Sequence, residues 1–218
     1  MPASNSPITR ILLTTVTLTA FAVGGVALVA WVNEQTRDRI TENERQILVQ
    51  SLNQVLPAEH YDNDLLADRI VVSDRERLGS KEALPVFRAR LDGKPAGVVM
   101  EVIAPNGYNG DIRLLVGILA DGTLSGVRVL SHKETPGLGD VIESGKSDWL
   151  AQFPGRKLTK ANVDDWAVKK DGGDFSQLTG ATITPRAVVE AVKQALQYFD
   201  QHNDMLFDKP ANEADDEI

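Results

Sequence analysis

The run Ile11–Val32, "ILLTTVTLTAFAVGGVALVAWV", contains no charged residue. At ~1.5 Å per helical residue it reaches about 33 Å, enough to cross the ~30 Å hydrocarbon core of a bilayer. The pattern predicts a spanning helix with Trp31 near one interface. A cleaved signal peptide is the competing assignment. Against it, the run exceeds the ~7–15 residues of a signal h-region and no clear small-x-small cleavage site follows. Arg10 and the amino terminus precede the run while Arg37 and Arg39 follow it, so the distribution of positive charge leaves orientation open.

Past the span, Asn33–Leu56 reads as a polar helix. Thr41 and Glu44 have the spacing of a capping box, and Ile47, Leu48, Leu52, Val55 and Leu56 form an apolar stripe. Pro57 closes it, and a mixed, charged region runs to about Pro85. The period then changes to two. "VFRARL", "GVVMEVIA", "IRLLVGILA" and "LSGVRVLS" are short apolar or alternating runs separated by "DGKP", "PNGYNG" and "DG", which are turn signals. They predict an antiparallel meander.

From Gly139 a helical pattern returns, weakly through "DVIESGKSDWLAQF" and strongly from Pro185 to Phe199. There Ala187, Val188, Ala191, Val192, Ala195, Leu196 and Phe199 share one face. The order predicts an α+β fold: one N-terminal transmembrane helix, then a domain with helices packed on an antiparallel sheet.

A net charge of -8 argues against a nucleic-acid partner, and part of it sits in the tail "NEADDEI", which has almost nothing to bury. The absence of cysteine excludes disulfides, thiolate metal sites and a cysteine nucleophile, so redox chemistry here needs a borrowed cofactor. His60, His132 and His202 lie far apart and lack metal-ligand spacing. "GDVIESGKS" nearly matches a phosphate-binding loop, but Asp140 stands where that motif needs its first glycine, and Lys146 reads as a helix or loop charge. Asp164 and Asp165 read as helix-start or loop polarity.

Two segments carry more specific chemistry. In "SQLTGATITPRAV", Thr184 is placed as an N-cap and Pro185 as the first helical residue, so the threonine cluster abuts a helix N-terminus. Free N–H groups and the helix dipole suit a phosphate there, and Gly180 permits close backbone approach. On spacing alone, caps and a turn glycine also account for the cluster. In "ETPGLGD", Pro136 fixes the backbone while Gly137 and Gly139 remove side chains, which lets a flat ring approach the main chain; a plain surface turn is the alternative.

"TGATIT" (Thr179 to Thr184) resembles the S/T-G-A-T-x-T motif of the covalent FMN-binding domains. These occur in the C subunit of the sodium-translocating NADH:quinone oxidoreductase and in the G subunit of the Rnf-type electron transport complex. "ETPGLGD" is similar to a second segment of that family, and the single span followed by one domain matches its layout. The "TIT-P" ending and the modest length look more like the Rnf-type protein than the sodium pump's C subunit.

The resemblance implies FMN, one per chain, transferred from FAD by a flavin transferase and joined through its phosphate to the hydroxyl of Thr182. Thr179, Gly180, Ala181 and Thr184 would shape the phosphate pocket. Glu134, Thr135, Gly137, Leu138 and Gly139 would approach the isoalloxazine ring. The family's transferase pattern has an acidic residue six positions before the acceptor. Here that position is Ser176, with Asp174 nearby but out of register.

The implied organisation is a cytoplasmic N-terminus (1–10), a membrane anchor (11–32), a membrane-proximal helical region (33–84), an FMN-binding domain (85–207) and an acidic tail (208–218). The implied role is an electron relay on the periplasmic side of a bacterial inner membrane, working with the other membrane and peripheral subunits of an ion-translocating ferredoxin or NADH oxidoreductase. The C-type subunit of a sodium pump and a non-redox tethered binding module are the alternatives.

Overall fold

The computed structural model describes residues 7–178, 180–209 and 211, and the chain divides into two units, residues 1–47 and 48–218. The tail "NEADDEI" lies outside the described residues. The first helix, α1, runs over Pro7–Val55. Its Pro7–Arg37 portion, with a mean hydropathy of 2.0 in its most apolar window, is long and apolar enough to cross a membrane. Threonine is tolerated in such a run because Thr14 and Thr17 donate their hydroxyls to the carbonyls of Arg10 and Leu13, at 2.9 and 2.8 Å. No new helix begins at Thr41, because the backbone is helical through that position and leaves no free N–H groups there to cap.

The second unit is built on a five-stranded sheet in the order β1-β2-β3-β4-β5, antiparallel throughout. The strands are β1 (Arg69–Val72), β2 (Leu84–Leu91), β3 (Lys94–Gly107), β4 (Gly110–Leu119) and β5 (Leu124–Ser131). The predicted meander supplies β2 to β5. β1 comes from the charged stretch before Pro85 and sits at the sheet edge, pairing Ile70 with Val86. A single helical turn, α2 (Arg75–Leu78), follows it, capped by the Asp74 carboxylate, which accepts from the N–H groups of Glu76 and Arg77.

Alternation along the strands divides the apolar side chains between two cores. Met100, Val102, Leu114 and Val116 face the larger one, which is closed by helix α3 (Ile183–Asp208) through Val188, Val192, Leu196 and Phe199. Phe87, Val99 and Leu115 face the smaller one, closed by Leu52, Val55 and Leu56 at the end of α1. The sheet is therefore covered by α3 on one face and, on the other, by the last turn of α1 with Leu65.

The docking of Val55 depends on two glycines. Gly117 and Gly126 are direct partners across β4 and β5. A Cβ on Gly126 would lie 2.7 Å from the Val55 carbonyl oxygen and 3.0 Å from its Cα, and one on Gly117 would lie 2.7 Å from Val55 Cγ1. Ser125 donates its hydroxyl to the same carbonyl at 2.8 Å. Gly126→Ala pushes backbone against backbone, which has no rotamer to relieve it. It is expected to lower stability by about 1–3 kcal/mol, read as a fall in the thermal unfolding midpoint. Gly145→Ala, where the added Cβ meets nothing within 4 Å, is the control.

Helix α3 departs from the expected boundaries at both ends. It starts at Ile183, with Thr182 in the N-cap position, so Thr184 lies inside the first turn and is not the cap. The reason is that the Thr184 hydroxyl is taken by Glu134. Pro185 still falls within the first turn, where a missing N–H breaks no helical bond. At the other end the helix continues past Phe199 to Asp208, burying Leu206 completely. The weak helical pattern of residues 140–153 resolves into short 3-10 turns, Gly139–Ile142 and Trp149–Gln152. They are separated by a loop in which Ser147 donates to the Val141 carbonyl at 2.6 Å and accepts from the Trp149 N–H at 3.1 Å.

Candidate functional site

The segment leaving β5 and the segment entering α3 meet at Glu134. This carboxylate is 5% exposed and accepts the Asn109 N–H at 3.0 Å on one oxygen and the Thr184 hydroxyl on the other. Asn109 lies in the β3–β4 turn and also donates its side-chain amide to the Thr135 hydroxyl at 3.1 Å. Three chain segments are thus tied at one buried acid. Gly139 is held against it: a Cβ there would lie 2.7 Å from Glu134 Oε2 and 2.9 Å from Thr184 Oγ1. Only glycine leaves room for that pair.

These contacts enclose a cavity of about 420 Å³. Gly180, Ala181, Thr182 and Thr184 line one side and Glu134, Thr135, Leu138 and Gly139 the other. Gly180 adopts φ +83°, a left-handed conformation open to glycine at little strain, which turns the chain past Leu138. Of the remaining residues named from sequence, Gly137 occupies an exposed turn beside the cavity without lining it, and Thr179 lies outside the described residues. Tyr108 and Ile183 also line the cavity, are 65% and 45% exposed, and were not anticipated. For Tyr108 the available signal was an aromatic placed in the turn "PNGYNG".

Thr182 is half-buried at the helix N-terminus, and its side chain makes no capping hydrogen bond. Thr184 is committed to Glu134, whereas the Thr182 hydroxyl stays available beside the positive end of α3. The Ser176 carbonyl accepts the Trp149 indole N–H at 2.6 Å, and its N–H donates to Gln152 at 2.8 Å. Asp174 is engaged by Arg156 at 3.2 Å, and the same guanidinium lies over the Phe175 ring at 4.6 Å.

Behind the cavity, His132 Nδ1 accepts the Glu134 N–H at 3.0 Å, so its other nitrogen carries the proton toward Glu143, 2.8 Å away. Lys146 bridges Asp140 and Glu143 at 2.7 and 2.8 Å. That lysine is a loop charge held by two carboxylates, including the aspartate that spoils the phosphate-loop match. The Lys146 hydrogen bond holds Asp140 below the usual carboxylate range, and hydrogen bonds from Lys146 and then His132 do the same for Glu143.

A carboxyl lowered in the folded state contributes stability that is present above its unfolded value and lost as pH falls through the folded one. This turn is therefore expected to loosen on acidification below about pH 4. An acid series of thermal unfolding midpoints checks it, with Lys146→Met losing that part of the dependence.

A larger cavity, about 640 Å³, lies near the opposite end of α3 between Lys157 and Gln197 and contains none of the motif residues. The smaller one is the candidate because both motifs build it.

Residues 107–197 match the family model of the FMN-binding domain, and residues 6–55 that of the RnfG N-terminal region. The G subunit of the ion-translocating oxidoreductase complex of Vibrio atlanticus is 49% identical over 195 residues, covering 89% of this chain and 93% of that protein. Its counterpart in Shewanella oneidensis is likewise 49% identical, covering 89% and 92%. Among solved structures, Shewanella oneidensis NqrC aligns with a TM-score of 0.48 and 22% identity over 72% of this chain and 73% of that one. Identity near one half over almost the whole length places the chain in a family: it belongs to the G subunits of ion-translocating oxidoreductase complexes.

Proposed function

We propose that this chain is the membrane-anchored flavoprotein subunit of an ion-translocating oxidoreductase complex, carrying one FMN esterified through its phosphate to Thr182 and relaying electrons between the complex's other subunits. The observation that carries this reading is the convergence of two distant motifs on one cavity, with a threonine hydroxyl at a helix N-terminus that caps nothing.

The residues present suit the group. A phosphate on Thr182 sits at the start of α3, where unpaired N–H groups and the dipole favour an anion. The loop through Gly180 and Ala181 brings backbone close to that point, and Gly139 keeps the opposite wall flat. Thr135, Leu138 and Gly139 offer a turn against which a planar ring can lie, and Tyr108 and Ile183 add apolar surface at the cavity edge.

When bound, FMN supplies one- and two-electron storage, tuned by nearby hydrogen bonds and charge. The chain's own work is to fix the attachment point, orient the group and set its surroundings. Attachment forms a phosphoester at Thr182 Oγ1 as the pyrophosphate bond of FAD breaks, releasing AMP and the hydroxyl proton, a step we give to a separate flavin transferase. The Ser176 and Asp174 contacts hold the segment that precedes that loop. We place the domain on the periplasmic face of a bacterial inner membrane, anchored by α1.

The test is to express the full chain with a flavin transferase, purify it in detergent and denature it. The expected result is an in-gel fluorescent band with the mass of FMN less one water added. A dark band of unmodified mass, with the transferase shown to work on another substrate, overturns the reading.

A further inference from the structure

We infer that Glu134 sets the reduction potential of the flavin site, acting both as a positioning residue for its walls and as an uncompensated negative charge. The inference rests on the flavin reading above. Among the described residues lining the cavity, Glu134 carries the only charge. Its two oxygens are occupied by neutral donors, the Asn109 N–H and the Thr184 hydroxyl, and no lysine or arginine among the described residues pairs with it. The neighbouring acids behave differently: Asp140 and Glu143 share a cation, Lys146, between them.

The arrangement fixes this charge in place. Gly139 packs on the carboxylate, and a Cβ on Gly107 would lie 3.0 Å from its other oxygen, so the side chain sits between two close-lying backbone segments. A cavity of 420 Å³ is about 9 Å across if round, so a ring inside it lies within about 10 Å of the carboxylate; at an effective dielectric near 20 a unit charge at that range shifts an equilibrium by about tenfold. Adding an electron beside a fixed anion is disfavoured, so Glu134 keeps the potential low.

Glu134→Gln isolates the charge from the shape. The amide oxygen still accepts from the Asn109 N–H, and the amide N–H₂ donates to Thr184, whose hydroxyl accepts as readily as it donates. Glu134→Asp does the reverse, keeping the charge while shortening its reach. Full-length chains flavinylated in the cell and purified in detergent are compared by intact mass, thermal unfolding and redox titration followed by flavin absorbance.

The expected result is full loading of the Gln variant and a midpoint shifted positive by about tenfold in the reduced-to-oxidised ratio, about 30 mV for a two-electron couple. The Asp variant unfolds at lower temperature but keeps its midpoint nearer the wild type. Glu143→Gln, which removes an acid that pairs with Lys146 and lies outside the cavity lining, leaves the midpoint in place. A Gln midpoint that coincides with wild type overturns the inference, as do equal shifts in Gln and Asp, which reveal a purely steric role. Failure of the Gln chain to fold or load overturns it as well, since the hydrogen bonds are then not interchangeable. Wild-type chain without flavin overturns the reading of the site itself.

Discussion

Thr182→Ala is expected to abolish covalent flavin while leaving the unfolding midpoint almost unchanged, and the combination is the informative part. A threonine that caps a helix loses about 0.5–2 kcal/mol on truncation to alanine. At about 2–4 °C per kcal/mol for a domain of this size, that is a visible fall. The Thr182 side chain makes no capping bond, so its removal leaves no helical N–H newly unpaired.

Thr184→Val is expected to behave in the opposite way. It strands a buried oxygen of Glu134, at a cost of about 1–3 kcal/mol, yet leaves the attachment hydroxyl present. Intact mass and thermal unfolding on the two variants separate attachment from support. Flavin retained in Thr182→Ala moves the acceptor elsewhere, and a large loss of stability there returns Thr182 to the role of a cap.

The largest effect on folding is expected at Arg88, far from the cavity. This guanidinium is 2% exposed. It donates to the carbonyls of Leu206, at 3.2 Å, and Lys209 at the end of α3, and it pairs with Asp68. Helix C-termini leave carbonyls without partners, and here a buried cation from β2 takes them up. Arg88→Met keeps an unbranched apolar stem and removes every donor.

Breaking one partner of a buried pair costs about 3–5 kcal/mol, which corresponds to a fall on the order of 10 °C for a domain of this size. Arg90 also binds Asp68, at 2.8 Å, but is 26% exposed, and Arg90→Met is expected to cost much less. Thermal unfolding of both variants in detergent is the check. Arg90 also donates to the Phe207 carbonyl, at 3.2 Å, so equal effects would mean that the burial of Arg88 adds nothing to the contacts the two arginines share.

The difference between what was legible and what was not follows the range of each interaction. The meander from β2 to β5 and the apolar face of α3 are local periodicities, readable from neighbours two and three to four residues apart. β1 was missed because "RIVV" is four residues in a charged stretch, and its place is decided by the edge of β2. The start of α3 was misplaced because the partner that removes Thr184 from capping duty is 50 residues away in sequence.

Its end was placed too early because "QHNDMLFD" carries little apolar pattern and is held by an arginine more than a hundred residues upstream. Gly117 and Gly126 read as ordinary interruptions until the register sets them side by side beneath Val55. For the candidate site, resemblance named the residues, while the bond from Thr184 to Glu134 and the lining by Tyr108 emerged only from the folded chain.

Helix α3 is fastened at both extremities, by Glu134 to Thr184 at one end and by Arg88 to the last carbonyls at the other, with 26 residues, about 39 Å of helix, between them. A rod held this way is braced against sliding or tilting at its tip. For an electron carrier that is an advantage of a particular kind. A flavin held at that tip would meet surroundings fastened from both ends, and little nuclear rearrangement is expected to accompany each transfer.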